Sequence, residues 1–212
     1  MAIVDSRQEF ENYIVSLNTE ICRVWEHWNV LTGVHKLSNE YALEMNQSSH
    51  FWRIVSRSLQ DVVIIRLANL LDHSSAVVSM PRLLHTIKGR AIAKDWSLGI
   101  TLDNVEPAAI EEDIKLVSRQ APVVAKIQKI RNKILAHRDK KIIVTNALHE
   151  MPELPDAEID HMIGMLHNMV CKYCALCGLA PILLRFPGSD DYKRMLALLR
   201  TGFAADQRDR LL

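Results

Sequence analysis

Apolar residues recur along most of this 212-residue chain at spacings of three and four, which is the period of an amphipathic helix. The first such run follows Ser6 and Glu9, which are spaced as in a capping box, and Gly33 is its predicted end. Its apolar positions are Phe10, Ile14, Leu17, Ile21, Val24, Trp28 and Leu31. The pattern therefore predicts a long first helix with one buried face.

The same period predicts several more helices along the chain. They run from Tyr41 or Ser49 to Leu71, from Arg82 to about Ile92, from near Ile110, from Ala157 to Leu176 and from Tyr192 to Leu199. Pro122 either kinks the helix that starts near Ile110 or lies in the first turn of a new one, and Gly178 is a predicted helix stop. The segments 94–107 and 139–156 are predicted loops, the second with one short strand at most. The sum is an all-α bundle of about five to seven helices in a single domain, 1–212.

The composition is that of a soluble globular protein, with 49% apolar and 24% charged residues. The net charge of +1 excludes a general binder of polyanions, so any contact with a nucleic acid has to come from a local patch. No stretch approaches the ~18 apolar residues that span a membrane. The start of the chain lacks the features of a secretory signal, so we expect a cytoplasmic protein without membrane contact.

The candidate chemistry lies in the stretch 130–139, which contains Arg131, Asn132 and His137. Arginine donates parallel hydrogen bonds that match a phosphate, and histidine exchanges protons near neutral pH. Cleaving RNA without a metal requires a base for the 2′-hydroxyl, an acid for the leaving 5′-oxygen and cations for the developing charge. The stretch therefore indicates chemistry on a phosphodiester.

A helical wheel for residues 122–136 separates these side chains. Its apolar stripe consists of Val123, Ile127, Ile130 and Ile134. Arg131 then lies about 60° to one side of the stripe, His137 about 60° to the other, and Asn132 near the opposite face. A catalytic pair within one chain is therefore not expected, whereas a two-fold dimer would supply two of each residue around one axis.

The sequence Arg-Asn-Lys-x-x-Ala-His-x-Asp at 131–139 resembles the signature of the HEPN superfamily, and most of all its abortive-infection-U branch. A weaker similarity lies upstream, where His50-Phe51-Trp52 opens a long apolar helix that ends in the segment Arg-Leu-Ala-Asn-Leu-Leu-Asp at 66–72. The resemblance covers roughly residues 40–180, and its specific part is 131–139.

The resemblance implies a metal-independent endoribonuclease that leaves 2′,3′-cyclic phosphate ends and combines Arg and His across a homodimer. Arg131 would hold the phosphate, His137 would transfer the proton, and Asn132 would orient the substrate or the histidine. The candidate substrate-binding residues are Lys133, Asp139, Lys140 and Arg66. The expected setting is a toxin or phage defence, with RNA as substrate and an antitoxin protein as a possible partner. No cofactor is expected, since the chain has no Gly-rich phosphate loop, zincin motif or nucleophile elbow.

Three alternatives stay open at this point. The same Arg131 and His137 surface would also suit a non-catalytic module that binds a nucleotide, RNA or a partner protein, or it is an inactive remnant in a structural protein. Arg66 either forms an internal ion pair with Asp61, Asp72 or an acid of another helix, or lines the same cleft as Arg131. The last alternative concerns the cysteine group, which consists of Cys171, Cys174 and Cys177. These cysteines are either part of the core or ligands of a metal, and we interpret them as core residues.

Overall fold

The computed structural model describes residues 6–74, 77–93, 106–132, 152–176, 178–180, 188 and 190–209. These ranges contain eight helices and no strand. The helices are α1 (Arg7–Leu37), α2 (Ala42–Gln47), α3 (Ser49–Leu70), α4 (Met80–Ala93), α5 (Pro107–Arg119), α6 (Ala121–Ile130), α7 (Asp156–Leu176) and α8 (Asp191–Asp209). The all-α prediction is confirmed, and the predicted loop and strand at 139–151 lie outside the described residues.

The helix count within the described ranges exceeds the predicted five to seven for two local reasons. The segment before Ser49 forms a short helix of its own, α2. The Ser48 backbone N–H, just after α2, donates to the Met45 carbonyl at 3.1 Å. Pro122 lies in the first turn of α6 and starts a new helix there, where its missing N–H costs no hydrogen bond. The second of the two predicted outcomes for Pro122 is therefore the observed one.

Helix α1 starts as predicted and ends later than predicted. The Glu9 backbone N–H donates to Ser6 Oγ at 3.2 Å, as a capping box requires, and all the predicted apolar positions of this helix are buried. The prediction that Gly33 ends α1 is wrong, because the helix continues to Leu37. A Cβ atom at Gly33 would overlap the hydroxyl and ring of Tyr192, so this glycine provides room for a neighbouring side chain.

The chain divides into two compact units, with boundaries that fall within α1 and α3. Unit 1 comprises residues 1–24 and 64–182, and unit 2 comprises residues 25–63 and 183–212. The buried core of unit 1 includes nine side chains of α7. Unit 2 has a small core of Val34, Trp52 and Leu196. The expectation of one domain over 1–212 stays a prediction.

The two late helices contrast in how well the pattern predicted their ends. Helix α7 begins at Asp156 and ends before Gly178, whose φ of +67° places it in the left-handed region. The Gly178 N–H donates to the Ala175 carbonyl at 3.1 Å, and the Leu179 N–H donates to the Cys174 carbonyl at 2.9 Å, which together form a Schellman ending. The prediction that Gly178 stops this helix is confirmed. Helix α8 instead continues ten residues past the predicted end at Leu199, to Asp209.

Among the helices that the structure describes, none combines the length and apolar character that crossing a membrane requires.

Candidate functional site

The end of α6 sets the position of Arg131. Val124 and Ile127 are the buried positions of this helix, which anchor it from one side. The Arg131 backbone N–H donates to the carbonyls of Ile127 and Gln128, and the backbone takes a π-helical turn at Arg131 and Asn132. Single π turns occur often at functional sites because they change the direction of the side chains that follow.

This π turn limits the residues to which the helical wheel drawn from the sequence applies. The wheel assumed an α-helix from 122 to 136, but the regular α-helix stops at Ile130, and its buried stripe consists of Val124 and Ile127. A π turn has more residues per turn than an α-helix, so the predicted angle between Arg131 and His137 does not follow. His137 itself lies outside the described residues.

Three side chains surround the Arg131 guanidinium. Its Nε donates to Asn132 Oδ1 at 3.0 Å, and its Nη1 donates to Asn69 Oδ1 at 3.4 Å. The Asp72 carboxylate lies 3.6 Å from the same Nη1, and 27% of the Arg131 side chain is exposed. The arginine is therefore held in one direction and still reaches solvent.

Asp72 is itself fixed at the end of α3. Its backbone N–H donates to the Asn69 carbonyl at 3.2 Å, and its Oδ1 accepts the Ser74 N–H at 2.8 Å. Such a local turn occupies one carboxylate oxygen and leaves Oδ2 for Arg131. The last turn of α3 supplies the amide, and the segment just after the helix supplies the carboxylate, that orient the arginine.

Asn132 is exposed, as expected for a residue near the face opposite the apolar stripe. Its Oδ1 also accepts a hydrogen bond from Arg131, which the wheel did not predict. Both residues of this contact lie in the π turn at the end of α6. Asn132 therefore orients the arginine in this structure, and its action on a substrate or on His137 stays a prediction.

Arg66 forms the ion pair that was one of its two predicted roles. Its Nη1 pairs with Glu20 of α1, and the other oxygen of Glu20 accepts from Arg23 at 2.7 Å. The partner is thus an acid of another helix, and neither Asp61 nor Asp72 is used. Arg66 Nε is buried and makes no hydrogen bond within the described residues. Its predicted role in binding substrate stays a prediction.

The remaining candidates of the motif lie outside the described residues. They are Lys133, His137, Asp139 and Lys140. The sequence prediction assigned no role to Asn69, and Asp72 was considered only as a partner of Arg66. The signal that could have identified them is the polar spacing of Arg66, Asn69 and Asp72 at the end of an otherwise apolar helix, where positions three apart are neighbours.

Core packing, the role predicted for the cysteine group, is confirmed for Cys174. Cys174 is buried, and this burial, together with the nearby Cys171, raises the pKa of its thiol to about 11. Cys171 is half-buried, its Sγ lies 3.4 Å from His167 Nε2, and burial raises its thiol pKa as well. Cys177 lies outside the described residues. Within those ranges no three His, Cys, Asp or Glu side chains are grouped so that they could hold a metal ion.

The family model of AbiU2, a HEPN family, matches residues 7–199. The chain belongs to the AbiU2 family. No curated protein and no solved structure matches it. Membership confirms the resemblance drawn from residues 131–139, and the match extends beyond the range 40–180 on which that resemblance rested.

AbiU2 membership makes this chain an all-α HEPN-type module related to abortive infection. The match includes α3 and α6, so both helices that hold Arg131 belong to the AbiU2 region of the chain. The arginine of the motif and its three neighbours are therefore part of the AbiU2 module itself.

Proposed function

We propose that this protein is a metal-independent endoribonuclease of HEPN type that acts as a toxin or in phage defence. In this proposal Arg131 holds a phosphate of single-stranded RNA, and His137 moves the proton. The two residues come from different protomers of a homodimer, so each cleavage site is composite. The products end in a 2′,3′-cyclic phosphate.

The observation that carries the proposal is the fixed direction of Arg131. An unrestrained arginine loses about 2 kcal/mol of rotamer entropy when it is immobilised on a ligand. Here Asn132, Asn69 and Asp72 already hold Nε and Nη1, so part of that cost has been met in the free protein. A merely solubilising surface arginine would not need three polar neighbours.

The arrangement leaves donors for a phosphate. A guanidinium has five N–H groups, and the two on Arg131 Nη2 have no partner among the described residues. A phosphate oxygen on Nη2 would add to the existing contacts and would not displace them. Preorganised donors of this kind stabilise the charge that develops on a phosphorane without reorganising during the reaction.

A single chain supplies one motif histidine, whereas cleavage of RNA at a 2′-hydroxyl uses both a base and an acid. A two-fold dimer presents two copies of His137 and two of Arg131 around its axis. The proposal therefore includes the dimer as part of the site.

The direct test is cleavage of single-stranded RNA in EDTA by the wild-type protein and by His137→Ala. We expect the variant to lose about 10²- to 10⁴-fold in rate, the usual contribution of a general acid or base. His85→Ala, at an exposed position of α4, is the matched control and should cleave like the wild type. Equal rates for His137→Ala and the wild type would refute the catalytic assignment.

Mixing two inactive variants tests the composite site. Arg131→Ala mixed with His137→Ala forms mixed dimers that hold one Arg131 and one His137, on different protomers. If one arginine and the histidine of the other protomer suffice for a site, random pairing restores about a quarter of the wild-type rate. An inactive mixture would mean that one site uses both copies of His137 as base and acid, or that its arginine and histidine belong to one protomer.

The non-catalytic alternative predicts a different result from the same proteins. If the module only binds RNA, no cleavage appears with any substrate, and Arg131→Ala still weakens binding. Removing one phosphate contact should then reduce the slope of log affinity against log salt by about 0.7 for a single strand. Binding of this kind without cleavage would favour the alternative over the enzyme.

A further inference from the structure

A small cavity lies beside the Arg131 site, entirely within unit 1. Its volume is about 200 Å³, and its apolar wall includes Leu71, Val117 and Val124, contributed by the end of α3, by α5 and by α6. Leu71 is 1% exposed and Val117 6%, so this wall is part of the core. The cavity is smaller than the usual 300–1,000 Å³ of sites for drug-sized ligands, so it suits a single flat ring system.

The cavity is lined by residues that adjoin the Arg131 site in two segments of the chain. Leu71 and His73 line it, and Asp72 between them contacts Arg131 through Oδ2. Gln128 also lines it, and its backbone carbonyl accepts the Arg131 N–H. A group in the cavity would therefore lie close to a group on Arg131, because the cavity is lined by both chain neighbours of Asp72 and by the residue one helical turn before Arg131.

We propose that this cavity receives one unpaired base of the RNA strand whose phosphate is held by Arg131. The inference rests on the proposed phosphate-binding role of Arg131 and adds a base-binding subsite to it. Proteins that recognise single-stranded RNA stack splayed bases on aromatic or apolar side chains and bind their edges through hydrogen bonds. Both kinds of partner are present here.

The rim of the cavity supplies the polar partners. His73 is exposed there and offers a ring on which a base stacks. Gln128 is half-buried, and its side-chain amide makes no hydrogen bond with another described residue. The Ser118 hydroxyl donates to the Ile114 carbonyl at 2.8 Å, which leaves its oxygen free to accept.

Gln128 determines which base we expect. A glutamine amide donates and accepts at once, and adenine presents the matching acceptor N7 and donor N6. The subsite should therefore favour adenine. A good pair of this kind discriminates by about 5- to 150-fold against other bases.

The first experiment locates the subsite with five-nucleotide RNAs that carry 2′-O-methyl groups and so cannot be cleaved through the 2′-hydroxyl. One base at a time is removed, and binding to the full-length protein is measured by fluorescence anisotropy at fixed salt. We expect one position at which an abasic sugar weakens binding about 5- to 100-fold, and adenine to bind best there. Equal binding of all abasic RNAs, or no binding of any RNA, would overturn the subsite.

A second experiment fills the cavity from its exposed edge. Ala125 lines the cavity and is exposed, so Ala125→Leu narrows the space without disturbing the core. In this variant, removing the base at the sensitive position should no longer weaken RNA binding, because the base cannot enter the narrowed cavity. Ala108→Leu, at an exposed position of α5, adds the same side chain elsewhere and should retain the sensitivity. Retention by Ala125→Leu as well would contradict the proposal.

A third experiment changes the edge that reads the base. Gln128→Glu replaces the amide donor by an acceptor, which matches the N4 amino group of cytosine instead of adenine. The ratio of adenine to cytosine affinity at the sensitive position should therefore fall about 5-fold or more. Gln60→Glu, at an exposed position of α3, introduces the same charge and should leave the ratio unchanged. An unchanged ratio in Gln128→Glu would remove Gln128 from the subsite.

The binding measurements test the base subsite and the cleavage assay tests the enzyme, so either proposal can be refuted while the other holds. Base-selective binding of the methylated RNAs together with no cleavage of ordinary RNA would support the subsite and refute the enzyme. Cleavage of ordinary RNA together with uniform binding of the abasic series would support the enzyme and refute the subsite.

Discussion

Helices α7 of unit 1 and α8 of unit 2 have similar lengths, 21 and 19 residues, but they are held in different ways. Nine side chains of α7 are buried. Of the α8 side chains that the structure describes, Leu196 alone is buried, while Met195, Leu198 and Leu199 are exposed by 41%, 64% and 44%. Helix α7 is thus a core helix, and α8 is a surface helix with one anchor.

Polar and aromatic contacts take the place of burial in unit 2. Arg200 donates to Glu44 at 2.8 Å, its guanidinium carbon lies 3.8 Å above the Tyr41 ring, and it also donates to the Glu40 carbonyl. Tyr192 occupies the space that the absent side chain of Gly33 leaves. The difference teaches that a helix without a buried face is positioned by a few specific side chains, each of which can be removed singly.

The largest expected effect comes from the core of α7. Leu166 is fully buried, so Leu166→Ala should lower the free energy of unfolding by about 2–5 kcal/mol. Leu198→Ala in α8 makes the same change at an exposed position and should cost less than about 0.5 kcal/mol. Urea denaturation followed by circular dichroism measures both, and similar losses would contradict the contrast between the two helices.

The next largest effect is expected where Tyr192 packs closely against Gly33. Gly33→Ala forces Tyr192 out of its place and should cost about 1–3 kcal/mol of unfolding free energy, as overpacking does. Gly164→Ala in α7 meets no atom within 4 Å and should stabilise by about 0.5–1 kcal/mol through helix propensity.

A double mutant shows whether Tyr192 is the cause. In a Tyr192→Ala background, Gly33→Ala should no longer destabilise, because the overlapping ring is gone. A penalty of the same size in both backgrounds would assign the cost of Gly33→Ala to another contact.

The end of α7 provides a smaller effect. Gly178 has a φ of +67°. A residue with a side chain adopts this conformation at a cost of about 1–2 kcal/mol, so Gly178→Ala should lower the free energy of unfolding by that amount. Gly202→Ala in α8 has open space around it and no positive φ, and it should stabilise slightly. Opposite signs in thermal or urea unfolding are the expected result, and a stabilised Gly178→Ala would argue against the Schellman ending.

The smallest effect is the pH dependence of the α8 contact. The hydrogen bond from Arg200 holds the pKa of Glu44 below its ordinary value, so the contact stabilises the fold above about pH 4.3. That stabilisation is lost as the pH falls through the lower pKa of the folded state. The urea midpoint of the wild type should therefore exceed that of Glu44→Gln at pH 7, and the two should converge in acid.

Glu112→Gln gives the corresponding measurement in unit 1. The hydrogen bond from Lys115, one turn away on the same helix, lowers the pKa of Glu112 in the same direction. Because this pair is local to α5, its loss should shift the midpoint less than the loss of the Glu44 contact, which joins α2 to α8. A larger shift for Glu112→Gln would reverse the comparison.

The contrast also explains which parts of the fold were predictable. Helix α7 was predicted to within a residue at its start because its buried positions repeat at three and four and Gly178 marks its end. The end of α8 was missed because an exposed helix needs no such repeat. Gly33 was taken as a stop because a glycine that provides space for Tyr192 looks the same in sequence as one that ends a helix.

The candidate site divides in the same way. The motif itself, with Arg131 and Asn132, was found because its residues are adjacent in sequence. The contacts of Arg131 with Asn69 and Asp72 bring together residues about sixty positions apart, and periodicity carries no information on such pairs. The π turn at Arg131 was equally hidden, because it is a property of the backbone and not of any residue type.

The division into two units has a practical consequence for following the unfolding of this protein by spectroscopy. Of the four tryptophans, Trp25, Trp28 and Trp52 belong to unit 2, and Trp96 falls in the range of unit 1 outside the described residues. Tryptophan fluorescence is therefore weighted towards unit 2, whereas far-ultraviolet circular dichroism counts helices of both units. Coincident curves would indicate one cooperative transition, and separated curves would show that the units melt at different denaturant concentrations.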